Sequence, residues 1–287
     1  MDGDKADDPV PEKTTWEISP ELEGRMLGDF RIVRKLGEGG MGIVFEAEQQ
    51  HPKRPVALKV IRGGAFVDEN QIKMFQREAQ TLARLKHPAI AAIYEMGRTD
   101  QGQHFFAMEL VRGETLGAWL KHGSPDLRLR LGLFRKICDA VAYAHQRGVI
   151  HRDLKPSNIL VLKDSTSAST GSGLGIPDVK ILDFGLARIT DADMAASTFI
   201  TDMGTVRGTL PYMSPEQIRG NPDEIDLRTD VYSLGVLLYE MLTGKLPHDL
   251  SKSGFAEAAR IICDEPPAPL TKTWGGTKHL DADVATI

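Results

Sequence analysis

Val149–Leu160 reads V-I-H-R-D-L-K-P-S-N-I-L and sets an acid, a lysine and an asparagine at fixed offsets. Asp153 can take a proton from an attacking hydroxyl, Lys155 can steady a transferring phosphoryl group, and Asn158 can bind a magnesium ion. A lone His-Arg-Asp is a polar turn between a helix and a strand. The full run is far more specific, and its order is that of a phosphoryl-transfer catalytic loop.

Working outward, Leu36–Val44 reads L-G-E-G-G-M-G-I-V, with Gly37, Gly39 and Gly42 between two apolar runs. Glycines let backbone approach phosphate oxygens because no side chain blocks the way. The same spacing occurs in tight hairpins and in dinucleotide-binding folds, but the latter need a helix after the glycines. Here Ile43, Val44 and Phe45 favour a strand. The expectation is a strand-loop-strand flap over ATP, with Leu36, Gly37, Glu38, Gly39, Gly40, Met41, Gly42, Ile43 and Val44 forming the nucleotide cradle.

Pro55–Val60, P-V-A-L-K-V, reads as a buried strand carrying one lysine toward a site. Flanked by apolar residues, Lys59 needs an ionic partner. Glu78, on the helix expected from about Val67 to Leu85, is the candidate, and such a pair would hold Lys59 against the nucleotide's phosphates. Downstream, Val179–Gly185 reads V-K-I-L-D-F-G, a short strand ending in an acid. With Asn158 present, Asp183 is expected to be the main ligand of Mg2+, which takes a few hard oxygens plus its substrate's phosphates. Phe184 is expected to pack beneath the Glu78 helix.

These motifs in this order resemble the protein-kinase superfamily, in particular the bacterial Hanks-type serine/threonine kinases, over roughly Asp29 to Ile287. The G-E-G-G-M-G wording and Tyr212–Gln217, Y-M-S-P-E-Q, carry the bacterial likeness. The resemblance implies an α+β, bilobal fold: an N-lobe over 29–111 with an antiparallel sheet and one helix, then a mainly helical C-lobe over 112–287. It implies Met108 as gatekeeper, Glu109 to Val111 as the hinge for adenine, and Ala57 and Leu160 above and below the base. It places Asp153, Lys155, Lys59 and Glu78 in catalysis, with ATP and Mg2+ bound. It makes Gly208 and Thr209 part of the loop that receives a peptide, with Thr209 contacting Asp153 and Lys155, and Asp230 the acid that ties down the catalytic loop's backbone. Lys155 is the serine/threonine pattern. The family also pairs the glutamate matching Glu216 with an arginine from later helices, and this chain stops at Ile287, so Glu216 is expected to lack that partner.

The bulk properties agree. A net charge of -5 gives no basic footprint for nucleic acid. Cys138 and Cys263 fit neither a disulfide framework nor a metal-site spacing and are expected to be reduced and buried. No apolar run reaches the roughly 18 residues that span a bilayer, and the acidic start lacks a signal peptide's form, so a cytoplasmic protein with no membrane segment is expected. Residues 1–28, rich in Asp, Glu and Pro, read as a mobile leader, and 163–178, with S-T-S-A-S-T-G-S-G-L-G, as a low-complexity surface insertion.

The leading reading is ATP-dependent phosphorylation of serine and threonine in proteins, including the chain itself by self-association, in bacterial signalling. A pseudokinase scaffold and a small-molecule kinase of the same fold are the rivals. The first is disfavoured because Lys59, Glu78, Asp153, Asn158 and Asp183 are all present, the second by Lys155 and the G-T-x-x-Y-M-S-P-E segment. Arg152 and Arg188 near one loop suggest a phosphate switch there, at Thr201 first and Thr198 next, ahead of Ser197 and Thr205.

Overall fold

A computed structural model describes residues 23–39, 42–61, 82–99, 102–123, 125–162, 175–184, 209–251 and 253–273. Glu78, Gly40, Met41, the leader up to residue 22, residues 163–174, and 185–208 with Gly208, all four candidate phosphosites and Arg188 lie outside them.

Alternating apolar residues build the first half. Strands β1 (Met26–Leu27), β2 (Phe30–Gly39), β3 (Gly42–Gln49), β4 (Arg54–Ile61), β5 (Ile93–Arg98) and β6 (His104–Glu109) form an antiparallel sheet in the order β1-β2-β3-β4-β6-β5. Successive side chains on a strand point to opposite faces, and β4 divides accordingly. Val56, Leu58 and Val60 join Phe30, Ile32, Phe45 and Phe105 in one core, which leaves Ala57 and Lys59 on the other face. On β6, Phe105 and Ala107 enter that same core, whereas Phe106 and Met108 belong to a second one. Ala57 pairs with Met108 and Lys59 with Phe106 across the strands.

The second half is helical around a small sheet. β7 (Gly113–Thr115), β8 (Ile159–Leu162) and β9 (Val179–Ile181) pair antiparallel in that order, so the catalytic loop runs directly into the central strand. The helices are α1 (Leu116–Gly123), α2 (Leu127–His145), α3 (Pro215–Arg219), α4 (Leu227–Thr243), α5 (Phe255–Asp264) and α6 (Leu270–Thr273). Asp126 starts α2 by accepting from Leu129 N–H at 2.8 Å. Its buried stripe, Leu133, Ile137, Ala140, Val141 and Ala144, follows helical spacing. With Leu237 and Met241 of α4, and with Ile159, Val161, Val179 and Ile181, it forms a core that continues to Phe106, Met108 and Leu82. Each fully buried Leu, Ile or Phe contributes about 1.5–3 kcal/mol.

The expected α+β, two-lobed architecture is therefore present. Of the helix expected from Val67 to Leu85, only its last residues are described, and Leu82 there shares the second core with Phe184. One expectation is corrected. Cys138 and Cys263 are half-buried rather than buried, and unpaired; Cys138 sits one position off the stripe of α2, at the edge of the core. Burial still pushes its thiol up to about 11, with the neighbouring Asp139 adding to the shift. Glu216, for which no arginine was expected, accepts a hydrogen bond from Thr229 Oγ1 at 2.7 Å. Burial alone would raise its carboxyl, but that bond, its own backbone and Ser214 outweigh burial and hold it low.

Gly175–Asp178, leading into β9, is packed on α2. Lys136 Nζ donates to the carbonyls of Ile176 and Pro177, both at 3.1 Å, and pairs with Asp178 at 2.7 Å. A Cβ on Gly132 would lie 2.3 Å from Ile176 Cδ1, so the glycine makes room for this docking.

Candidate active site

α4 is the foundation. Asp226 caps it by accepting from Arg228 N–H at 2.8 Å, and its first turn carries Asp230 into the interior, 0% exposed. A carboxylate so placed must be fully hydrogen-bonded. Asp230 Oδ2 accepts from His151 N–H at 2.8 Å, Oδ1 accepts from Arg152 N–H at 2.9 Å, and His145 Nε2, at the end of α2, lies 2.7 Å from Oδ2. Burial pushes this carboxyl up, yet the His145 bond, nearby His151 and the two backbone donors prevail and hold it below the ordinary carboxylate value. Asp230 thus grips the loop backbone where the resemblance implied.

That grip supports an unfavourable backbone. Arg152 has φ 67° and Asp183 φ 58°, left-handed values that side chains other than glycine rarely adopt. Around them, His151 Nε2 lies 2.9 Å from Leu182 O, and Asp153 N–H donates to His151 Nδ1 at 3.2 Å. The imidazole therefore carries its proton on Nε2. Its ring lies 4.6 Å from that of buried Phe184. The loop and the D-F-G turn are in this way one hydrogen-bonded unit, and Leu182 N–H donates to Asn158 O at 2.8 Å to close it.

Asp153, Lys155 and Asn158 converge. Asn158 Nδ2 donates to Asp153 O at 2.7 Å and Asp153 Oδ2 at 3.0 Å. Lys155 Nζ lies 2.9 Å from Asp153 Oδ1 and donates to Thr209 Oγ1 at 2.6 Å. A carboxylate, a cation and the hydroxyl of the segment before Tyr212 form one chain.

Lys59 is 5% exposed, and its Nζ lies 2.7 Å from Asp183 Oδ2. The strand-borne lysine and the acid of the turn after β9, far apart in sequence, thus satisfy each other; Glu78, the partner expected from sequence, lies outside the described residues. Ala57 and Leu160 are both half-buried. Glu109 N–H donates to Ala92 O at 2.8 Å, and Glu109 Oε2 accepts from Lys180 Nζ at 2.7 Å and Ala92 N–H at 3.2 Å. Val111 follows, half-buried, on the way to β7.

The glycine loop is a strand-loop-strand hairpin, since Gly39 pairs with Gly42 across its tip. Leu36 and Glu38 are exposed on β2, with Glu38 in an ion pair with Lys35; Ile43 is buried in the sheet core and Val44 half-buried. The glycines differ in purpose. At Gly37 and Gly39 a Cβ would meet nothing within 4 Å, whereas at Gly42 it would lie 2.1 Å from Val60 O. The first two leave space open, and the third lets β3 approach β4.

Two residues escaped the sequence reading. Gln217 Nε2 donates to Arg152 O at 2.6 Å; the S-P-E-Q run was readable as a capping box, although its reach to the catalytic loop was not. Lys180, a lone cation in an apolar strand, ties β9 to Glu109. Asp183 and Asn158 both carry hard oxygens, and the Asn158 amide nitrogen is spent on Asp153, so only its oxygen remains as a donor to a cation. This donor set suits Mg2+, which keeps substrate phosphates and water as its remaining ligands.

The protein kinase domain family matches residues 30–275. The chain is 40% identical over 242 residues to the serine/threonine-protein kinase pkn3 of Myxococcus xanthus, covering 84% of this chain and 42% of that protein. It is 37% identical over 270 residues to PknB of Mycobacterium leprae, covering 92% and 40%, and 36% identical over 251 residues to PrkC of Bacillus subtilis, covering 87% and 35%. It thus spans less than half the length of these relatives. With that match and the loop, strand lysine and D-F-G turn joined as described, the chain belongs to the protein kinase domain family, alongside bacterial serine/threonine kinases.

Proposed function

We propose that this chain transfers the γ-phosphoryl group of ATP to serine and threonine hydroxyls of proteins in bacterial signalling, with Mg2+ held by Asp183 and Asn158. The observation that carries the reading is the Asp153–Lys155–Thr209 chain, at 2.9 and 2.6 Å. It joins the proton acceptor to the segment that would receive a peptide, which a kinase of small molecules has no need to build.

In this reading Asp153 orients the acceptor hydroxyl and takes its proton, its Oδ2 steadied by Asn158 and its Oδ1 by Lys155. Lys155 adds positive charge beside the group in transfer. Lys59 holds the nucleotide's phosphates, a reading supported by its burial beside Asp183. Gly37 and Gly39 admit the phosphates, Glu109 to Val111 the adenine edge, and Ala57 and Leu160 its faces. The magnesium ion, when bound, neutralises phosphate charge. Catalysis here rests on placement and electrostatics rather than covalent chemistry.

A cytoplasmic setting, where ATP is available and the thiols of Cys138 and Cys263 stay reduced, fits this activity. Among the described residues no helix is long and apolar enough to cross a membrane. Two copies phosphorylating each other on Thr201 or Thr198 would be the route to a phosphate switch.

The test is incubation with labelled ATP, magnesium and a panel of peptides, followed by mass spectrometry of peptides and chain. Phosphoserine or phosphothreonine is expected. Nucleotide binding without transfer, or transfer to small molecules or tyrosine alone, would overturn the reading.

A further inference from the structure

Three successive peptide units around Arg152 are held by side chains, all but His151 from distant parts of the chain. Asp230 takes the N–H groups of His151 and Arg152. The third unit, between Arg152 and Asp153, is held at both ends: His151 Nδ1 takes its N–H at 3.2 Å, and Gln217 Nε2 donates to its carbonyl at 2.6 Å. This unit follows the left-handed turn at Arg152, φ 67°, and its plane sets the direction in which the Asp153 side chain leaves the backbone. A left-handed residue persists only where its surroundings over-determine it.

Gln217 is itself fixed. Its Oε1 accepts from Ser214 N–H at 3.1 Å and from Ser214 Oγ at 3.3 Å, while its own N–H donates to Ser214 Oγ at 3.4 Å, which completes a capping box at the start of α3. Its amide thus divides its two ends between two tasks. The oxygen caps the helix after the peptide-receiving segment, and the nitrogen grips the catalytic loop.

We infer that Gln217 is a positioning residue for phosphoryl transfer, aiming Asp153 through the Arg152 carbonyl and coupling the Thr209–Tyr212 segment to the proton acceptor. The inference rests on the kinase reading above. Gln217 reaches the loop only through its backbone, so its effect is on turnover and not on nucleotide binding.

The division of the amide permits a clean test in the full chain. In Q217E the carboxylate still accepts from Ser214, so the cap survives, but it has no N–H for the Arg152 carbonyl. In S214A the helix loses its cap while Gln217 keeps its donor. Q217M, of similar length and without the amide, serves as a second variant. We expect Q217E and Q217M to lower kcat on the order of 10- to 100-fold, the scale of a sub-ångström misplacement, with KM for ATP nearly unchanged. S214A should lower the melting temperature while keeping kcat near wild type at low temperature. Hydrogen exchange read on peptides spanning 150–154 should quicken in Q217E and not in S214A, and this readout does not depend on activity. Wild-type kcat with unchanged exchange in both Gln217 variants would overturn the inference, as would an equal loss of kcat in S214A. An inactive wild type would instead sink the kinase reading, with exchange still reporting on the clamp.

Discussion

Asp230, wholly buried, takes bonds from His145, His151 and Arg152, whereas at Gly37 and Gly39, in the hairpin proposed to cover the nucleotide, an added Cβ would meet nothing within 4 Å. One region fixes the loop that carries Asp153 through helices α2, α3 and α4. The other is a two-stranded flap whose space is left for a ligand. In the proposed function, chemistry that depends on sub-ångström placement falls on the constrained side, and the part that would admit and release a nucleotide falls on the open one. Lys59, on β4, and Asp183, in the turn after β9, lie between, each satisfied by the other.

The largest expected effect tests the constrained side at its tip. Asp153→Asn should reduce phosphoryl transfer by about 100- to 10,000-fold, the range for a lost general base, while nucleotide affinity changes little because Asp153 faces the acceptor. Steady-state turnover beside nucleotide titration checks this; wild-type turnover would show that placement alone suffices.

Next is the anchor. Asp230→Ala would leave two backbone donors and His145 buried without an acceptor, at about 1–3 kcal/mol each, so a loss of about 3 kcal/mol or more is expected in denaturant unfolding. The pH dependence has a definite sign. The folded carboxyl lies below its ordinary value, so the unfolded chain takes up the proton first. The stabilisation is complete above the unfolded value of about 3.9 and is lost as pH falls through the lower folded one. An Asp230→Ala chain whose stability matched wild type at neutral pH would remove the anchor from the account.

The sequence showed the motifs whose roles are local chemistry. Val149–Leu160, the glycine hairpin and the strand bearing Lys59 were each readable because their residue types and spacing carry the reason for their use. What it could not show was which distant groups meet. Gln217 reads as a helix cap, and only the fold brings its amide to Arg152 O. Glu216 reads as wanting an arginine, and only the fold offers Thr229. The three glycines of the loop look alike in sequence, yet Gly42 answers to Val60 on another strand.

That last difference gives a matched comparison within one hairpin. Gly42→Ala drives a Cβ to 2.1 Å from Val60 O and must part β3 from β4, an overpacking that costs about 1–3 kcal/mol. Gly39→Ala meets nothing, and its stability should stay within about 0.5 kcal/mol of wild type while KM for ATP rises. Melting curves and ATP kinetics on the two variants separate structure from ligand access; equal melting temperatures would mean that the strands have slack.

The smallest effect probes the join between the two regions. Lys180 in β9 reaches Glu109 at the end of β6, with Nζ to Oε2 at 2.7 Å and side chains 16% and 28% exposed. Ala92 N–H shares the same carboxylate oxygen, and the backbone of Ala89 to Ala91 bonds with Ile181. The pair therefore fastens the strand that precedes Asp183 to the end of the upper sheet, beside the expected adenine edge. Partly exposed pairs are screened by water, and about 0.5–1 kcal/mol is the expected worth. Lys180→Met keeps most of the stem's packing and removes the charge, so its melting temperature should fall by only about 1–4 °C. Glu109→Gln keeps an acceptor for Ala92 and should cost less still. A double variant costing no more than Lys180→Met alone would show that the two side chains act as one pair; additive losses would show that each acts by itself.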